Sequence, residues 1–185
     1  ILQVFIDSGF GSALIQKKDA DDLDFSTIFY FNLTVCTVLY TLMWFAAPWI
    51  AKFYNLPELT PVVRVLSLKL IIAGVKNIQQ SYVSRNLLFK RFFFATLGGT
   101  IGAAIIGIVM AYSGFGVWAL VAQTLFNNTV DTIILWITVK WRPKRIFSIA
   151  RLKELWSYGW KIMVSVFITT LYTDLTQFII GKKYS

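Results

Sequence analysis

Two lysines, Lys69 and Lys76, stand in the middle of a long apolar stretch that runs from residue 62 to residue 84. Seven residues correspond to two helical turns, so in a helix both ammonium groups lie on one face, about 10 Å apart along the axis. A lysine at the centre of a bilayer costs about 2.5–3.5 kcal/mol. The spacing therefore predicts a face that meets water, a counter-charge or an anionic ligand, and the compact charge of lysine suits phosphate.

Polar side chains on other predicted helices could form a cavity together with this lysine face. The same face continues with Ala73, Asn77, Gln80 and Ser84. On another predicted helix, Gln123, Asn127 and Asp131 recur every fourth residue between positions 117 and 139. A further polar stripe consists of Ser165, Thr169, Tyr172 and Thr176. Because residues four apart share one side of a helix, a single central cavity could satisfy all of these polar groups.

We interpret four of these residues as candidate substrate ligands, namely Lys69, Lys76, Gln80 and Asn127. Two acids, Asp131 and Asp7, are candidate coupling or charge-balancing groups. The alternative is an internal salt bridge in a packed bundle, since charges within membranes are commonly paired. Asp131 is the best partner for Lys76, and that pairing would leave Lys69 as the better candidate for an anionic substrate.

The composition is typical of a polytopic membrane protein. Hydrophobic residues make up 57% of the 185 residues, charged residues make up 15%, and the formal net charge is +9. Soluble domains are about 45–50% apolar, and the charges here are clustered between apolar runs, so the pattern does not indicate nucleic-acid binding. The chain has no histidine and no GxSxG or P-loop motif. We therefore predict no enzymatic activity, no metal and no cofactor.

We predict one all-α transmembrane domain over residues 1–185, with one partial and five complete membrane helices. The predicted helices cover residues 1–15 (partial), 25–50, 61–84, 92–112, 117–139 and 158–180, and a basic interfacial helix covers residues 148–157. Small residues recur every fourth position from Ala95 to Gly107, which predicts a close packing face. The charged loop at 16–24 is expected to be a solvated turn. Since an apolar run is already under way at Ile1, we expect an internal fragment of a longer protein.

The loop charges predict the orientation of these helices. If the helices alternate in direction, one side of the membrane carries Lys17, Lys18, Arg85, Lys90, Arg91, Lys140, Arg142, Lys144, Arg145, Arg151 and Lys153. The other side carries Lys52, Arg64, Lys182 and Lys183. Because loops rich in lysine and arginine stay in the cytoplasm, the first side is predicted to be cytoplasmic.

Several runs of the sequence resemble a known family of membrane proteins. They are FIDSGFGSALIQKKDADDLDFSTIFYFN, APWIAKFYNLPELTPVVRVLSL, GFGVWALVAQ and WRPKRIFSIARLKELWSYGWK, which follow one another along the whole chain. They are similar to segments of the Wzx-type lipid-linked oligosaccharide flippases, within the multidrug/oligosaccharidyl-lipid/polysaccharide exporter superfamily. The likeness is greatest to the branch associated with colanic acid, exopolysaccharide and lipopolysaccharide export.

The resemblance implies a two-lobe transporter of the bacterial inner membrane that works by alternating access, with this chain forming most of one lobe. It implies that the substrate is an undecaprenyl-pyrophosphate-linked oligosaccharide and that membrane lipids and a coupling cation are further partners. An ion-coupled multidrug exporter of the same superfamily is the alternative, and a membrane-embedded glycan polymerase or ligase is a third possibility. The two lysines favour an anionic substrate over a cationic drug, and the short outer loops disfavour the polymerase.

Overall fold

The computed structural model describes residues 10–17 and 19–184, and all regular structure in that part of the chain is helical. The all-α prediction is therefore confirmed for the described residues. The helices are α1 (Phe10–Gln16), α2 (Asp22–Phe53), α3 (Leu59–Leu66), α4 (Leu68–Arg85), α5 (Phe89–Tyr112), α6 (Val117–Thr138) and α7 (Ile149–Tyr184). Asp7, a candidate coupling group, lies outside the described residues.

The predicted helix at 61–84 is divided into α3 and α4 at Ser67. The Ser67 hydroxyl donates to the carbonyl oxygen of Val63 at 2.6 Å, and the N–H of Leu70 bonds back only three residues, to Ser67, at 2.9 Å. A serine bonded to the preceding turn and a three-residue turn both distort an α-helix locally. The two lysines nevertheless remain on one helix, because both lie in α4.

The predicted interfacial helix at 148–157 is not a separate element. It is continuous with the predicted span at 158–180, and together they form α7. No proline interrupts the stretch between them, and Gly159 alone does not break a long helix. The predicted helices at 25–50, 92–112 and 117–139 correspond to α2, α5 and α6, whose ends differ from the prediction by a few residues.

Among the described residues, α2 is the one helix that is long and apolar enough to cross a membrane by length and composition. It has 32 residues, which corresponds to about 48 Å and exceeds the hydrocarbon core of about 30 Å. The segment Thr96–Tyr112 of α5 is a shorter apolar stretch. The larger number of spans stays a prediction.

The N-terminus of α2 is closed by a reciprocal pair of hydrogen bonds. The Asp21 carboxylate accepts from the N–H of Asp24 at 2.9 Å, and the Asp24 carboxylate accepts from the N–H of Asp21 at 3.3 Å. This capping box satisfies two N–H groups that the helix itself leaves unpaired. The bond from the Asp24 N–H also holds the pKa of Asp21 below its usual range.

The charged segment at 16–24 is a structural junction, which corrects the expectation of a solvated turn. The ammonium of Lys17 lies 3.1 Å from the carboxylates of both Asp24 and Glu154, and Asp24 is fully buried. Arg151 lies 3.8 Å from Asp21, Asp24 and Glu154. These charges join the end of α1 to the beginnings of α2 and α7, because Lys17 directly follows α1, Asp24 lies in α2, and Arg151 and Glu154 lie in α7.

The connection between α6 and α7 is extended and is held against the start of α2. The N–H of Lys144 donates to the hydroxyl of Ser26 at 3.0 Å, and the N–H of Ser148 donates to that of Thr27 at 3.2 Å. Trp141 is buried, and its indole N–H donates to Asp22 at 3.1 Å. The hydroxyls at the start of α2 are therefore buried because they bond the backbone of this connection.

Helix α4 lies at the centre of the bundle and packs against α1, α2 and α6. Two glycines allow the close approaches. A methyl group at Gly74 would lie 2.6 Å from the sulfur of Cys36 on α2, and one at Gly11 on α1 would lie 2.7 Å from the hydroxyl of Ser81. Neither distance is compatible with a real side chain, so these helices pack backbone against side chain without a gap.

Helices α5 and α6 form the most extensive helix pair, and the packing face predicted on α5 is confirmed there. Gly99 and Ala103 of α5 are buried. A methyl group at Gly99 would lie 2.0 Å from the carboxylate of Asp131 and 2.7 Å from the amide oxygen of Asn127, and one at Gly107 would lie 2.9 Å from Gln123. The polar stripe of α6 therefore packs into the glycine face of α5.

We predict that Gly99→Ala destabilises the protein, whereas Gly98→Ala does so only slightly. The added methyl at position 99 collides with Asp131 and Asn127, and overpacking of this kind costs about 1–3 kcal/mol. The methyl at position 98 approaches only the flexible end of Ile134, at 3.2 Å. Thermal unfolding of the purified variants in detergent checks this, and equal melting temperatures for the two variants would contradict the packing described.

Candidate functional site

A polar pocket with a volume of about 250 Å³ opens between α1, α4 and α6. Its lining residues are Gly11, Ser12, Ile15, Ala73, Lys76, Asn77, Gln80, Ser81, Ser84 and Asn128. One wall of the pocket comes from α4, where positions 73, 76, 77, 80, 81 and 84 share one broad face because of the helical repeat. Amides and hydroxyls dominate this wall although the surrounding bundle is apolar.

Lys76 forms an ion pair with Asp131 across the α4–α6 interface. The ammonium nitrogen lies 2.8 Å from Oδ2 of Asp131, and the two side chains are 17% and 8% exposed. The internal salt bridge considered as the alternative is therefore present. Oδ1 of Asp131 is buried against α5 and has no hydrogen-bond partner in the part of the chain that the structure describes.

Lys69 lies apart from this pair. It is half-buried, one turn beyond Ala73 on α4, and is not among the residues that line the pocket. Within the described ranges it makes no ion pair or hydrogen bond. Arg64, on α3, does not extend the lysine face, because its guanidinium stacks on the ring of Trp44, 4.6 Å from the ring centroid.

The other candidate ligands occupy different places. Gln80 lines the pocket, and its side chain makes no hydrogen bond to the described residues. Asn127 does not line it, since its amide oxygen is buried against Gly99 of α5. The neighbouring Asn128 lines the pocket instead and donates to the carbonyl oxygen of Thr124 at 2.8 Å.

The third wall of the pocket is α1, and the stripe of Ser165, Thr169 and Tyr172 does not line this pocket, so its place in a central cavity stays a prediction. That stripe lies on α7, which packs against α1 and α2, and these three side chains are exposed. The side chain of Thr176 lies outside the described residues. Phe10 of α1 holds α7 in place through Trp156, with ring centroids 5.5 Å apart.

Three polar lining residues were not predicted from the sequence: Ser12, Ser81 and Asn128. Asn128 carried a signal, because Thr124 and Asn128 are four residues apart on α6, as are the members of the stripe chosen instead. Ser12 and Ser81 are brought together by the contact of Gly11 with α4. Only that tertiary contact distinguishes these serines from ordinary helix hydroxyls.

We predict that Lys76→Gln and Asp131→Asn each destabilise the protein and that combining them restores part of the loss. Removing one member leaves the other charge buried and unpaired, which costs about 3–5 kcal/mol, whereas the double variant leaves no charge. Denaturant unfolding of the two single variants and the double variant gives the coupling free energy. Additive effects of the two substitutions would show that the pair contributes nothing.

Comparison with known proteins identifies the family. The family described as "Polysaccharide biosynthesis protein" matches residues 1–185. The teichuronic acid biosynthesis protein TuaB of Bacillus subtilis is 25% identical over 182 residues, which cover 97% of this chain and 38% of TuaB. The succinoglycan biosynthesis transport protein ExoT of Rhizobium meliloti is 24% identical, over 96% of this chain and 36% of ExoT.

The lipopolysaccharide biosynthesis protein WzxC of Escherichia coli is 20% identical, over 95% of this chain and 36% of WzxC. No solved structure is significantly similar. The chain thus spans less than two-fifths of the length of these three relatives. It belongs to the polysaccharide biosynthesis protein family, the family of Wzx-type polysaccharide flippases that the sequence resemblance predicts.

Proposed function

We propose that this chain is part of one lobe of a flippase that moves undecaprenyl-pyrophosphate-linked oligosaccharides across the bacterial inner membrane. The observation that carries the proposal is a polar, lysine-bearing pocket within an apolar helical bundle, in a chain of this family. One relative is named for succinoglycan biosynthesis and transport, and another is named for lipopolysaccharide biosynthesis. The lobe would be multi-pass, and the assembled polymer would be an exopolysaccharide or lipopolysaccharide.

The lysines of α4 would have different tasks in this function. Lys69 has no counter-ion among the described residues, so it is the better contact for a pyrophosphate. Lys76 is already paired, so Asp131 acts as its charge-balancing group, and Gln80 lies on the same pocket wall. Asn127 would reach a substrate only if α5 and α6 separated, because its oxygen is buried between them.

The transport step would follow the alternating-access scheme of two-lobe transporters, in which one lobe rocks against the other around a fixed site. The polyprenyl chain would stay in the lipid while the head group passes through the cavity. A coupling cation would drive the cycle, and Asp131 and Asp7 are the acids proposed for it. No covalent chemistry is needed, so the protein would act as a transporter rather than an enzyme.

The multidrug-exporter alternative is not favoured. A cavity for cationic drugs needs free acidic groups, and the acid beside this pocket is held by Lys76 at 2.8 Å. The curated relatives are named for polysaccharide biosynthesis and not for drug export.

We predict that Lys69→Gln lowers polymer export about tenfold or more while the protein remains in the membrane at normal levels. A charge-assisted contact contributes about 1.5–3 kcal/mol, and about 1.4 kcal/mol corresponds to a factor of ten, so its loss should slow transport at least tenfold. Lys153→Gln is the matched control, since Lys153 is exposed at the start of α7, away from the pocket. Secreted polysaccharide and the level of the protein in the membrane are measured together. Normal secretion by the Lys69→Gln variant would contradict the role given to Lys69.

A further inference from the structure

The described lining of the pocket between α1, α4 and α6, taken together with Asp131, carries no net charge. Lys76 is the one ionisable residue among its described lining residues, and the carboxylate of Asp131 lies 2.8 Å from its ammonium. At this distance, and with little exposure to water, the two charges cancel for any group that approaches from the pocket. An anion entering here would have to displace Asp131 rather than meet a free cation.

The uncharged groups of the same pocket are available for a ligand. The side chains of Ser12, Gln80 and Ser84 make no hydrogen bonds to other described residues, although all three line the pocket. Asn128 uses its amide NH₂ on Thr124, which leaves its amide oxygen as an acceptor. A set that mixes donors and acceptors matches sugar hydroxyls, because each hydroxyl both donates and accepts.

The volume limits the size of that ligand. A volume of about 250 Å³ is small compared with a lipid-linked oligosaccharide, so the pocket would take a small part of such a ligand, such as one sugar residue. The exposed Ile15 lies at the edge of the pocket, where the rest of a glycan could continue outward.

We propose that this pocket is a subsite for one uncharged sugar residue of the glycan and that the pyrophosphate is bound outside it, nearer Lys69. The inference rests on the proposed function. Lys69 lies on the same helix about 10 Å from Lys76 along the axis and has no counter-ion among the described residues. Uncharged hydrogen-bonding groups thus line the pocket, and the ammonium of Lys69, which has no counter-ion among the described residues, lies two helical turns away.

The test uses a cysteine at the pocket edge, Ile15→Cys, in the full-length protein in membranes. The native Cys36 is fully buried and does not compete for a water-soluble maleimide. Alkylation is timed with neutral disaccharides of glucose, galactose and N-acetylglucosamine, and with inorganic pyrophosphate. We expect at least one disaccharide to slow alkylation and pyrophosphate to leave it unchanged. Ser113→Cys, on an exposed turn, reports any effect unrelated to the pocket.

Two further substitutions test whether the ion pair excludes pyrophosphate from the pocket and whether the Asn128 amide binds the sugar. Asp131→Asn frees Lys76, so pyrophosphate should now slow alkylation at Ile15→Cys. Asn128→Ala should weaken protection by the disaccharide about fivefold, the usual effect of losing one uncharged hydrogen bond. Ser165→Ala, on the exposed stripe of α7, should leave that protection unchanged.

Two results would overturn the proposal. Protection by pyrophosphate with Asp131 intact would make the pocket an anion site, and absence of protection by every probe would show that it takes no ligand of either kind. These outcomes are separate from the export measurement. Normal export by the Lys69→Gln variant would contradict the role of Lys69 in transport, whereas the alkylation rates report the chemistry of the pocket whether or not export occurs.

Discussion

The ion pair between Lys76 and Asp131 is the interaction on which the arrangement of the central helices depends. It joins α4 to α6 in a region from which water is largely excluded, so each charge needs the other. Its geometry turns Asp131 toward the junction of three helices, and the second carboxylate oxygen then occupies space beside α5. Gly99 is required there, because no side chain fits against that oxygen. The charged pair thereby accounts for the contact between α4 and α6 and for the glycine at position 99 of α5.

The same pair sets the character of the pocket. Two lysines on one face of a membrane helix indicate a cationic path, yet one of them is neutralised within the lobe. What remains on the pocket wall is a set of amides and hydroxyls, and the unpaired charge lies two turns away at Lys69. In the proposed function, the charged pyrophosphate of a lipid-linked glycan would contact Lys69, and a largely uncharged sugar would contact the amides and hydroxyls of the pocket.

Polar contacts at the N-terminus of α2 connect elements that apolar packing alone would leave separate. This is the opposite end of α2 from the exposed aromatic residues Trp49 and Phe53. Buried Asp24 is paired with Lys17, and the hydroxyls of Ser26 and Thr27 bond the extended connection between α6 and α7. These contacts fix where α7 begins. Helix α7 then packs against α1 and α2, and its polar stripe does not line the pocket between α1, α4 and α6.

The sequence by itself determined the all-helical class, the approximate position of most helices, the family, and the small-residue face of α5. Apolar runs and residue types that recur every fourth position are local properties of the sequence, so they can be recognised without knowing the tertiary contacts. It also indicated Lys76 and Gln80 as pocket residues and Asp131 as the best partner for Lys76. Tertiary structure alone decided that Asn128 rather than Asn127 faces the pocket, that α1 forms the third wall, and that Asp24 is buried. Adjacent residues on a helix differ by about 100° in direction, so a helix with two polar faces does not specify its own rotation, and only packing against its neighbours does.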